Sequence, residues 1–167
     1  VVHTGDFKID HTPVDGMATD LGKLATLTAN GVLLLCSDST YAEMPGYTPS
    51  EQVVGHALDQ VISEAPGRVM VATFASLISR VQQVINAAHK HGRRVAVMGR
   101  SMVNNTKTAR ELGHLDISSD LMITAAEANS LPDDKVLILT TGSQGEPQSG
   151  LVRMSRNDHR DIKIREG

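Results

Sequence analysis

Tryptophan is absent from these 167 residues, and the only aromatic side chains are Phe7, Phe74, Tyr41 and Tyr47. So few flat rings nearly exclude a row of base-stacking platforms. The lone cysteine, Cys36, can form no internal disulfide, and its place in an apolar run makes it a core residue rather than a nucleophile. No apolar run approaches the ~18 residues of a membrane span, and no basic segment leads into an apolar stretch with a small-residue cleavage site. A reducing cytoplasm is the expected compartment, with no membrane partner. Excess positive charge is missing as well. Sixteen Lys and Arg against nineteen Asp and Glu leave a formal charge of −3, so any hold on nucleic acid has to be local. Candidate patches are Lys90, His91, Arg93, Arg94 and Arg100, and Arg153, Arg156, His159 and Arg160. The blander account of both, solvated helix ends and loops, is favoured. Also lacking is any compact H-x-H-x-D-H run of the kind that gathers ligands for a hydrolytic metal centre.

What is present is ordinary globular composition, 40% hydrophobic and 21% charged, in a length suited to one domain folding as a single unit. Apolar runs of strand length recur at Gly31–Cys36, Arg68–Phe74, Arg94–Met98, Asp120–Thr124 and Lys135–Thr140, with helically spaced segments between them. Thr48-Pro49-Ser50-Glu51 reads as a capping box opening a helix that runs to about Ala65, before Pro66-Gly67, and buries Val54, Leu58, Val61 and Ile62. A second helix, from about Ser76, buries Ile78, Val81, Val84, Ile85 and Ala88 and stops at His91-Gly92. Short strands joined by helices imply an α/β fold, a three-layer Rossmann-like domain with a mainly parallel sheet. The segment 161–166 reads as a further strand.

In such sheets functional groups gather beyond the carboxyl ends of the strands. Four of those ends carry small polar groups: Ser37-Asp38-Ser39-Thr40, Thr73-Phe74-Ala75-Ser76, Gly99-Arg100-Ser101 and Thr141-Gly142-Ser143-Gln144-Gly145-Glu146. The last is a turn opening a helix near Pro147, and its amides could hold a phosphate or carboxylate, although it fits neither a dinucleotide fingerprint nor a Walker loop. A plain tight turn is the competing account. Asp38 could orient a histidine or accept from a substrate hydroxyl, or simply cap its own turn. Glu43 reads as exposed. His89 and His91, two apart on a helix, point to different faces and make a poor metal pair; His56 and His114 read as structural.

His3-Thr4-Gly5-Asp6-Phe7-Lys8, Leu35-Cys36-Ser37-Asp38-Ser39-Thr40, Ala72-Thr73-Phe74-Ala75-Ser76, Val97-Met98-Gly99-Arg100-Ser101-Met102 and Thr140-Thr141-Gly142-Ser143-Gln144-Gly145-Glu146 together resemble the ribonuclease J family. That family belongs to the branch of the metallo-β-lactamase superfamily that carries an inserted β-CASP domain. The resemblance implies that residues 1–10 end the metallo-β-lactamase core and that 11–167 are a β-CASP domain cut short at its C-terminal side. It implies that Asp6 is a ligand bridging two zinc ions, and that Asp38 is the catalytic-site carboxylate organising the histidines. Ser76, Arg100, Ser143 and Gln144 would line an RNA path. Leu77 stands where the family often has Asn. The implied partners are RNA, the metallo-β-lactamase domain and further copies of the parent in a homo-oligomer. The implied activity is zinc-dependent 5′-3′ exo- and endonucleolytic RNA cleavage. With the histidine motifs absent, the chain by itself is expected to be inactive and to hold zinc weakly. The rival reading is a non-catalytic Rossmann-like domain that binds a small anion or a protein, or that serves as a scaffold.

Overall fold

Parallel pairing opens the chain: β1 (Val2–His3) lies beside β2 (Leu35–Cys36), with His3 in register with Cys36. The structure is a computed structural model and describes residues 1–162 and 164. It divides the chain into two compact units, Val1–Val54 and Gly55–Gly167, where the composition led us to expect one. The reason is visible in the first unit, in which no hydrophobic side chain is buried. Leu33 is 95% exposed and Tyr47 92%. The apolar run at 31–36 therefore yields only a two-residue strand, paired with β1 and not with the main sheet. Cys36, read as core, is half-buried there.

Polar contacts organise this unit instead. Helix α1 (Leu21–Thr28) is capped by Asp20, whose carboxylate accepts from the Lys23 amide at 2.8 Å. Helix α2 begins at Glu51 and runs to Glu64, two residues later than a Thr48 cap would place it. Its true cap is remote in sequence. Asp10 accepts from the Glu51 amide at 2.9 Å and from the Ser50 hydroxyl at 3.0 Å, and Lys8 pairs with the Glu51 carboxylate at 2.9 Å. Along α2, Ile62 is fully buried and Leu58 partly so, whereas Val61 is 59% exposed and does not belong to the buried face.

The second unit carries the sheet. Strands β3 (Val69–Ala72), β4 (Arg94–Val97), β5 (Met122–Ile123) and β6 (Val136–Thr140) form one parallel sheet in the order β3-β6-β4-β5. β6 is buried along its whole length, and its alternation sorts the core into two faces. Leu137 and Leu139 join Val95 against α2, α3 (Ile78–Lys90) and α4 (Arg100–Glu111). Val136 and Ile138 join Ala96 against α5 (Ala125–Ser130) and α6 (Gly150–Ser155). This is the expected three-layer Rossmann-like arrangement. Each buried Val, Leu or Ile contributes about 1.5–3 kcal/mol through its removal from water.

Helix α3 buries Val81, Val84, Ile85 and Ala88 as its spacing predicts, and Gly92, at φ 64°, ends it. It starts two residues later than expected. Leu77 stands at its N-cap with no side-chain hydrogen bond. α5 opens with a full capping box, Thr124 and Glu127. Of the expected strand at 161–166, Lys163, Arg165 and Glu166 lie outside the described residues, and 161, 162 and 164 are in no strand. No helix among the described residues is long and apolar enough to cross a membrane.

The first basic patch dissolves. Arg93 is 3% exposed and bonded to backbone carbonyls, while Lys90 and His91 both reach Asp59, at 2.7 and 2.8 Å. Those bonds hold the Asp59 carboxyl below the ordinary carboxylate range, and the Asp10 and Asp38 carboxyls are held low by their own donors. Folding thus favours their charged forms. The stability they contribute is fully present above about pH 4, the ordinary value, and is lost as pH falls through the lowered folded values. The urea midpoint should therefore drop as pH is lowered from about 5 to 3, and Asp59→Asn should flatten that dependence. An Asp59→Asn profile as steep as the parent's would contradict it.

Candidate functional site

Strands of one parallel sheet end on one side, and three of these ends meet. β3, β4 and β6 are neighbours through β6, and their following loops line a cleft of about 280 Å³ walled by Thr73, Phe74, Ser101, Gly142, Glu146 and Ser149. The fourth expected strand end, with Asp38, follows β2, a strand of the other sheet.

Each wall follows from local structure. Beyond β6 the chain turns at Gly142, whose φ of 122° suits glycine and where a Cβ would lie 2.6 Å from the Ser149 hydroxyl. Ser149 caps α6 by accepting from the Val152 amide, and Thr141 accepts from the Gly150 amide at 3.3 Å. The helix thus opens at Gly150 and not at Pro147. After β4, Gly99 at φ 90° leads into α4, whose first-turn amides, Ser101 included, have no side-chain cap. Such amides lack intrahelical acceptors and favour an anion. The Gly142 amide also makes no hydrogen bond among the described residues. After β3, Thr73 is 3% exposed and its hydroxyl has no hydrogen-bond partner, an orphan that costs free energy unless a ligand or water satisfies it. Phe74 beside it is 46% exposed.

The residues singled out from the sequence sit next to these walls. Ser76, Arg100 and Ser143 each adjoin a lining residue and Gln144 lies between two of them, but the lining residues are others, Thr73, Phe74, Ser101, Glu146 and Gln148 among them. Adjacent residues in such loops face different ways, so motif reading located the loops but not the wall-forming side chains. Phe74 was legible as one of four rings and as part of the strand-end segment Thr73-Phe74-Ala75-Ser76, and the structure adds that it lines the cleft.

In the first unit, the β1–β2 pair sets the Asp6 and Asp38 loops side by side. The Asp38 amide donates to the Thr4 hydroxyl at 3.1 Å, and its carboxylate accepts from the amide and hydroxyl of Thr40, at 3.0 and 2.7 Å. The Thr40 bonds, with a further one from the Phe7 amide, keep the Asp38 carboxyl ionised to lower pH than usual. This is the turn-capping geometry. Asp6 is exposed and makes no hydrogen bond or ion pair among the described residues. Glu43 is exposed as expected. The zinc that the resemblance implies does not fit these residues as a closed site. No three His, Cys, Asp or Glu side chains among the described residues converge to hold an ion, and His3 Nδ1 already accepts from the Gly5 amide at 3.0 Å. His91 is engaged with Asp59 through Nε2 at 2.8 Å.

Comparison with known proteins fits this arrangement. The family model described as Ribonuclease J, beta-CASP domain matches residues 66–167, the sheet-bearing part. Among curated proteins, the chain is 53% identical over its whole length to Ribonuclease J of Synechocystis sp., covering 26% of that protein. It is 53% identical over its whole length to that of Thermus thermophilus, covering 29%, and 50% identical over 99% of its length to that of Helicobacter pylori, covering 24%. The chain thus spans between about a quarter and three tenths of the length of these relatives.

Proposed function

The chain belongs to the ribonuclease J family, of which it carries β-CASP sequence, and from that premise we propose that it forms the RNA-clamping wall of a zinc-dependent ribonuclease. The observation that carries the reading is the identity of 53% to proteins named Ribonuclease J along the entire chain, strand-end loops included. The geometry supports it through the cleft where three of those loops meet. In this reading Asp6 is one ligand of a two-zinc centre whose other ligands lie outside these residues. Asp38 steadies that centre's histidines, and Ser76, Arg100, Ser143 and Gln144 flank the RNA path. Residues 1–10 close the metallo-β-lactamase core and 11–167 are β-CASP. The exposed apolar surface of residues 1–54, with Leu33, Leu35, Tyr41 and Tyr47, is the kind a neighbouring domain covers. The parent works in the cytoplasm as a homo-oligomer, cutting RNA from the 5′ end or internally.

The test sets this chain beside a version extended at both ends to the length of its relatives. Zinc content and cleavage of a 5′-monophosphorylated RNA are expected in the extended protein alone, and Asp6→Ala should abolish both there. Metal-dependent cleavage by the 167-residue chain itself would sink the proposal. The rival, a free-standing anion-binding domain, draws on the Gly142 amide, unpaired among the described residues, and predicts saturable binding of inorganic phosphate.

A further inference from the structure

We infer that the groove between α4 and the edge strand β5 binds an amphipathic carboxylate, an unbranched apolar chain ending in one acidic group. Among the described residues β5 pairs with β4 alone, so the sheet stops at Met122 and Ile123. Beside that edge lies a groove of about 590 Å³, within the range of ~300–1,000 Å³ typical of small-ligand sites. It shares no lining residue with the strand-end cleft and is a second site on the sheet-bearing unit.

The groove has an apolar floor and a charged rim. Val97 and Met122, half-buried on the sheet face that packs against α4, form the floor, and Ile117, 6% exposed, closes it. Helix α4 supplies the rim. Val103, Thr106, Lys107 and Arg110 all line the groove, and they stand at i, i+3, i+4 and i+7, the spacing that places residues on one face of a helix. That face therefore passes from an apolar residue to two cations within two turns. The exposed Arg110 side chain makes no hydrogen bond or ion pair among the described residues, and Lys107 has only a contact of 3.9 Å with Glu111. Glu111 also lines the groove, so Lys107 and Arg110 against Glu111 leave one positive charge in excess. Thr106, in the middle of the stripe, is 6% exposed, and its hydroxyl has no hydrogen-bond partner, a cost that an acceptor relieves.

These features select the ligand. A neutral hydrocarbon leaves the cations and the hydroxyl unanswered, while a small hydrophilic anion gains nothing from the apolar floor. One excess positive charge matches a monoanion, and a dianion meets Glu111. A carboxylate is acceptor-only and takes the Thr106 hydroxyl together with the fork of the Arg110 guanidinium, while its chain covers Val97, Met122 and Ile117.

The experiment titrates the ¹⁵N-labelled 167-residue chain with octanoate, octanol, acetate and octyl phosphate. Octanoate should bind saturably, shift amides of residues 103–110 and of Met122, and bind more tightly than the other three. Arg110→Gln, at an exposed position where folding is not at stake, should weaken octanoate about tenfold and leave octanol unchanged. Thr106→Val, which removes a hydroxyl without a partner, should leave the fold intact and also weaken octanoate. Three results overturn the inference: no saturable binding of octanoate, octanoate binding unchanged in Arg110→Gln, or tighter binding of octyl phosphate. A fourth is binding by this chain that is lost in a version extended to the length of its relatives, which would make the groove a contact between domains.

Discussion

Arg93→Met is expected to destabilise the second unit by about 3–5 kcal/mol, the largest effect of any single substitution considered. The guanidinium is 3% exposed and donates from Nε to the Ile62 carbonyl at 3.2 Å, from Nη1 to Gly67 at 2.7 Å and from Nη2 to Ala65 at 2.5 Å. A longer contact of 3.5 Å reaches the Val136 carbonyl at the start of β6. Ile62 lies in the last turn of α2 and Ala65 just after it, so the cation sits against carbonyls that have no intrahelical donor and at the negative end of the helix dipole. Met fills comparable volume but donates nothing, stranding carbonyls away from water. Arg93→Lys keeps the charge but not the planar fork and should cost about 2 kcal/mol. Urea unfolding followed by circular dichroism checks both; a midpoint unmoved in Arg93→Met would show that water reaches these carbonyls.

Gly150→Ala is expected to cost about 2–3 kcal/mol, because a Cβ there falls on the hydroxyl of Thr140, a fully buried side chain of the central strand. Thr140 is β-branched and walled in, so it has little freedom to turn aside. Thr140→Ala removes the obstacle, and its own hydroxyl has no hydrogen-bond partner, so its loss forfeits packing but no bond. The double variant should recover at least about 1 kcal/mol relative to the sum of the single ones. Additive effects would mean that Gly150 is required for the turn itself and not for the approach to Thr140.

Much of the second unit was legible in residue order. β3, β4 and β6 are continuous apolar runs because both faces are covered, and the α3 stripe of Val81, Val84, Ile85 and Ala88 has a period set by the helix. Its stop at Gly92 is local chemistry. The motifs also located the loops of the cleft. Arg93 was not legible: one more cation in a run of Lys, His and Arg, it differs from Arg94 only in what surrounds it. Asp10 was invisible as the cap of α2, since it lies 41 residues from the amide it accepts from.

The sequence by itself determined the α/β class, the strand segments of 66–140 and the helix that ends at His91-Gly92, the family resemblance, and the lack of a second cysteine and of a membrane-length apolar run, because these depend on composition, period and local turn chemistry. Only the tertiary structure decided three further points. The run ending in Cys36 leaves the main sheet for β1, because strand pairing depends on which edges meet in space. β6 inserts between β3 and β4 and so brings three loops to one cleft. Phe74, Ser101 and Glu146, far apart in sequence, form its walls, because which side of a loop a residue faces is set by packing and not by residue order.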